Sequence, residues 1–138
     1  MYNTEIMDKI LIHSPAKFIP GAPLGIWYDT NRGLEDFYNK NNIKDKEIKN
    51  KMRHVTGLAR TTQAYGAPTA RMLGLVKETA DFWSGNQDNA KDFKNNDLGI
   101  NYALKHPKAT REEIMNYAFR RALLDKDPLK NFAEYLAE

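Results

Sequence analysis

Apolar residues recur at helical spacing through most of the chain, and the breaks between them fall at glycine, proline or clustered amides. From Asp45 to Tyr65, the residues Ile48, Met52, Val55, Ala59 and Thr62 stand at i, i+4, i+7, i+11 and i+14, which is one face of a helix. Gly66 follows where a helix C-terminus wants a left-handed residue, and Pro68 sits where a helix start tolerates a missing N–H. The pattern predicts a tight helical hairpin whose second arm, about Pro68 to Trp83, carries Met72, Val76, Ala80 and Trp83 on one stripe. Ser84-Gly85-Asn86 interrupts that arm, and Asp88 or Asn89 caps a third helix running to about Lys105. Its expected core residues are Phe93, Ile100, Ala103 and Leu104, and His106-Pro107 ends it. Thr110-x-x-Glu113 reads as a capping box for a fourth helix with Ile114, Tyr117, Ala118 and Leu124, and Asp127-Pro128 opens a last one with Phe132, Tyr135 and Leu136 inward.

The first forty residues are patterned differently. Ile6, Met7, Ile10 and Leu11 suit a short amphipathic helix from about Asn3 to His13, which Ser14-Pro15 stops. Pro20 to Tyr28 mixes proline and glycine with large apolar groups and reads as an irregular but ordered loop. A free tether has no use for Ile26, Trp27 and Tyr28, so these three are the expected partner-binding residues. Gly33 to Lys40 adds a helical turn or two before the polar break Asn39-Lys40-Asn41-Asn42. No alternating strand, internal repeat or low-complexity tract is present. The expected fold is all-α: a compact bundle of about five to six helices with an irregular N-terminal Pro/Gly loop. One domain is expected, with residues 1–42 as docking arm and loop and 43–138 as the helical core.

Composition narrows the function classes. A chain of 138 residues buries roughly two-thirds of its unfolded surface and folds as one unit. Its 41% hydrophobic and 28% charged content is that of a globular protein. The absence of cysteine excludes disulfides, thiolate-ligated zinc and a cysteine nucleophile. A net charge of +3 spreads over several helices, so nucleic-acid binding is not indicated. Glu5 and Asp8 precede Ile10-Leu11-Ile12 and no small-residue cleavage site follows, so no signal peptide is expected; no apolar run reaches membrane-spanning length.

Candidate chemistry is concentrated between Arg53 and Gly99. His54 precedes Gly66 by twelve residues and Glu78 follows it by twelve, so in an antiparallel hairpin the two lie at one height. Glu78 and Asp81 share a helix face. On the third helix Asp88, Asp92 and Asn96 stand at i, i+4 and i+8, with Asn95 beside them. A His–Glu hydrogen bond that locks the hairpin accounts for the first pair. The alternative is a site in which His54, Glu78, Asp81, Asp88 and Asp92 hold a divalent ion and His54, Glu78 and Asp81 act in metal-assisted hydrolysis. A two-carboxylate glycosidase pairing of Glu78 with Asp81 or Asp92 is also open. The two serines, Ser14 and Ser84, lie outside any G-x-S-x-G elbow, which argues against acyl transfer. Gly57, Gly66, Gly74 and Gly99 mark places of close helix approach rather than a phosphate loop.

Arg53-His54, Tyr65-Gly66, Ala70, Gly74, Lys77-Glu78, Asp81, Asp88, Asp92, Asn95-Asn96 and Gly99 together resemble a signature of small uncharacterised phage proteins. The signature is also similar to C-terminal domains of some bacterial polymorphic toxins, and covers about a third of the chain. The resemblance implies a phage or toxin-like context and no particular reaction. The expectation is therefore a virion-associated structural or accessory protein that docks on other particle proteins or on itself, in the virion or host cytoplasm. No cofactor is identified from the residues, and a divalent metal ion is possible. A metal-assisted hydrolase or toxin-like enzyme is the alternative.

Overall fold

The computed structural model describes residues 23–83, 89–126, 129, 136 and 137, with 23–24, 76–83 and 89–93 described as backbone alone. Among the described residues there are five helices and no strand: α1 (Pro23–Lys40), α2 (Lys46–Tyr65), α3 (Ala67–Trp83), α4 (Asn89–Lys105) and α5 (Arg111–Asp125). The all-α bundle expected from the pattern is the fold observed. Three helix starts and ends have identifiable local chemistry. Asp45 caps α2 by accepting from the N–H groups of Glu47 and Ile48, and Thr110 with Glu113 forms a reciprocal capping box on α5. Gly66 ends α2 at φ +89° and ψ 163°, extended rather than left-handed helical, while its N–H still closes on the Thr62 carbonyl. Asn42 takes a positive φ of 54° in the polar break after α1, a conformation asparagine tolerates better than most residues.

α2 is the centre of the bundle and packs against each of the other four helices. Leu34, Tyr38, Ile48, Met52, Val55, Met115, Ala118 and Ala122 form its main apolar contact with α1 and α5. Leu58 meets Ala67, Ala70 and Ile100 on the α3–α4 side, and Ala59 meets Ala103 and Ile114. The closest approach is at Gly99, where a Cβ would lie 2.3 Å from the Val55 carbonyl oxygen and 3.1 Å from the Ala59 nitrogen. Only a residue without a side chain lets α4 lie on the α2 backbone at this point.

Several expectations need correction. The irregular Pro/Gly loop does not extend through Pro23–Tyr28: these residues begin the 18-residue helix α1, which runs unbroken through Gly33. Proline costs little in a first helical turn, so Pro23 starts this helix instead of interrupting one. Met72 and Leu104, expected in the core, are 65% and 54% exposed, and Leu136, expected inward, is 68% exposed. The 3.6-residue period places such positions on the border of a stripe, and packing decides which border faces water. The predicted helix at Asn3–His13 and most of the predicted last helix lie outside the described residues.

Candidate functional site

α2, α3 and α4 all touch one another, and at their junction the interior is polar. His54, Asn95, Asn96, Thr56 and Lys51 are each less than 5% exposed. His54 Nδ1 lies 3.0 Å from Asn96 Oδ1, a hydrogen bond in which the ring tautomer protonated at Nδ1 donates to the amide oxygen. Gly74 of α3 makes the room for this amide, because a Cβ there would sit 2.9 Å from Asn96 Nδ2. One turn further along α4, Gly99 brings the helix onto α2. The two glycines thus bring three helices together around the His–Asn pair. Asn95 Nδ2, Asn96 Nδ2 and Thr56 Oγ1 are buried without an acceptor or donor partner among the described residues. Each such group costs roughly 1–3 kcal/mol when left unmade.

Glu78 and Asp81 lie on the helical backbone of α3 and Asp92 on that of α4, but their side chains are outside the described residues, as is Asp88 entirely. The equal height expected for His54 and Glu78 is thus not expressed as a described contact; the described partner of Nδ1 is Asn96. Among the described residues, no group of three or more histidine, aspartate or glutamate side chains gathers where an ion would sit.

A second polar region adjoins the first, one helical turn away on α2. Lys51, with a side chain 5% exposed, donates to Asp125 at the end of α5. Burial pushes the Lys51 pKa down, as do the charges of Arg121 and Lys94, and the Asp125 carboxylate only partly opposes them. Lys126, next in the chain, donates to Asp45 at 2.5 Å and approaches Glu47 at 3.8 Å. The Asp45 carboxyl is held below its ordinary pKa by that ammonium and by the two N–H groups it caps. Sequence reading missed Lys51 and Asp125. The available signal was a lysine at i+3 from Ile48 and beside Met52, inside an apolar stripe, where a buried cation requires a partner elsewhere.

The expected partner-binding residues are partly committed within the bundle. Ile26, Trp27 and Tyr28 are half-buried, and Trp27 Nε1 donates to Thr61 Oγ1 at 2.9 Å; that hydroxyl passes its own proton to the Gly57 carbonyl. Below them Asp29 receives Arg60 from α2 and Arg111 from α5. Burial alone would raise the Asp29 carboxyl, but the hydrogen bonds and charges of Arg60 and Arg111 outweigh it and hold the pKa below its ordinary value. No helix among the described residues is long and apolar enough to cross a membrane. No protein-family model, curated protein or solved structure matches the chain.

Proposed function

We propose that this chain is a small structural or accessory protein that docks on a larger assembly, a phage particle being the context that the motif resemblance implies. The observation that carries the reading is the burial of its polar centre. His54 is 2% exposed, its Nδ1 lies within hydrogen-bond distance of Asn96, and Gly99 brings the α4 backbone onto α2. A buried hydrogen bond of this kind locks helices together. Apolar groups for docking are available on the outside: Met72 and Leu75, one turn apart on α3, are 65% and 55% exposed. Quantitative mass spectrometry of density-purified particles tests the reading. The chain should be present at a fixed copy number per particle, and replacing Met72 and Leu75 by Asp should deplete it from particles while leaving thermal stability unchanged. A wild-type chain found wholly in the unassembled pool would overturn it.

One observation favours a second reading, an enzyme built on the same junction. Three buried polar atoms there, on Thr56, Asn95 and Asn96, lack partners among the described residues, and α3, which packs on both α2 and α4, carries Lys77-Glu78-x-x-Asp81. Substituting Glu78 by Gln separates the readings: an activity lost with the fold retained supports the enzyme, and a fold lost supports a structural hydrogen bond.

A further inference from the structure

The chain has no cysteine, so its five methionines are its only sulfur-bearing side chains, and the bundle treats them unequally. Met52 of α2 and Met115 of α5 lie in the main apolar contact, 0% and 2% exposed. Met72 of α3 is 65% exposed, and Met1 and Met7 lie outside the described residues. The helix period accounts for the difference. Ala70 and Gly74 of α3 face the bundle, where Ala70 joins the cluster of Leu58 and Ile100 and Gly74 makes room for Asn96. Met72 stands two residues from each, about 200° around the axis, and so points away from the other helices. Leu75, one turn further and 55% exposed, continues the same outer apolar face. The accessible thioether therefore sits on the surface offered above for docking.

We propose that Met72 is the peroxide-sensitive methionine of the bundle, and that its conversion to the sulfoxide turns off docking through the Met72–Leu75 face. The second half rests on the docking reading. The oxidant is hydrogen peroxide. A lone pair of Met72 Sδ attacks one peroxide oxygen, the O–O bond breaks as the S–O bond forms, and the sulfur loses two electrons; the hydroxide released takes the proton from the sulfur-bound oxygen and leaves as water. The product places a strongly polar S–O group where an adaptable apolar one stood. A partner's apolar surface laid over that oxygen strands a hydrogen-bond acceptor, a penalty the thioether does not carry. Met52 and Met115 are spared because peroxide reaches them only when the helices part.

Peptide mapping by mass spectrometry, after timed exposure of the folded full chain to hydrogen peroxide, tests the modification. Met72 should gain one oxygen at least about a hundredfold faster than Met52 and Met115, since opening of a domain of ordinary stability exposes those two in fewer than about one molecule in a thousand. In urea the three rates should converge, and methionine sulfoxide reductase should return the Met72 peptide to its original mass. The switch is read in peroxide-treated host cultures by comparing particles with the unassembled pool: the sulfoxide fraction at Met72 should be at least about fivefold lower in particles. Met72→Leu, whatever its own level of incorporation, should lose none of it on peroxide treatment. Equal oxidation rates in the folded chain, or equal Met72 sulfoxide fractions in the two pools, overturn the proposal. A chain missing from particles overturns the docking reading and the switch with it, while the peptide map still decides the modification.

Discussion

Gly99 and Gly57 make a paired test of how tightly α2 and α4 are packed. Alanine at position 99 places its Cβ 2.3 Å from the Val55 carbonyl oxygen and 3.1 Å from the Ala59 nitrogen. A carbon and a carbonyl oxygen rest at about 3.3 Å, so α4 must retreat by about 1 Å. Both clashing atoms are backbone, and neither can rotate away. The shift separates Ile100 and Ala103, each at most 2% exposed, from Leu58 and Ala59. Overpacking of this kind costs about 1–3 kcal/mol, and the lost contacts place Gly99→Ala at the upper end even after alanine's helix preference returns roughly 0.5–1 kcal/mol. Gly57→Ala meets nothing within 4 Å and keeps that helix preference in full, so it should stabilise by about 0.5–1 kcal/mol. Urea unfolding followed by circular dichroism, with thermal midpoints as a second measure, reads both. For a chain of this size 1 kcal/mol corresponds to roughly 3–5 °C, so Gly99→Ala should melt on the order of 10 °C low and Gly57→Ala a few degrees high. A Gly99→Ala protein as stable as the wild type would refute the close approach of the two helices.

The Lys51–Asp125 pair should respond unequally to its two deletions. Asp125→Ala leaves an ammonium 4% exposed without its carboxylate and should cost about 3 kcal/mol in urea unfolding, whereas Lys51→Met frees an aspartate 37% exposed to water and should stay within about 1 kcal/mol of wild type. Thr110→Ala removes the capping box of α5 and should lower stability by about 1 kcal/mol, with no change in the denaturant slope. Because the folded pKa of Asp29 lies below its ordinary value of 3.8, its contribution is present above that value and lost as pH falls through the lowered one. Unfolding measured across the acid range should therefore fall less steeply in Asp29→Asn than in wild type, and equal slopes would contradict the assignment.

The helices were legible because their signals are local. Thr110 with Glu113 and the Ile48–Thr62 stripe each act within a turn or two of the chain, and each does in space what its chemistry suggests. The start of α1 was not legible, because Pro20 to Pro23 and the glycines around it are compatible with either a loop or a helix start, and what stabilises the helix is remote: Trp27 on Thr61 and Asp29 between Arg60 and Arg111. The extent of burial around the middle of α2 was not legible for a related reason. A single apolar stripe implies one covered face, whereas residues 54–59 are buried without a break. The choice of Asn96 as the His54 partner depends on the register of α4 against α2, which Gly99 sets and no pairwise spacing within the chain reports.

The position of α2 among the other four helices determines how the molecule can open. Each of the other four helices loses apolar partners if α2 leaves, so the amides of its middle turns have no private route to solvent. Their hydrogen-exchange rates should converge on one value, that of whole-molecule unfolding, and should track denaturant stability from variant to variant.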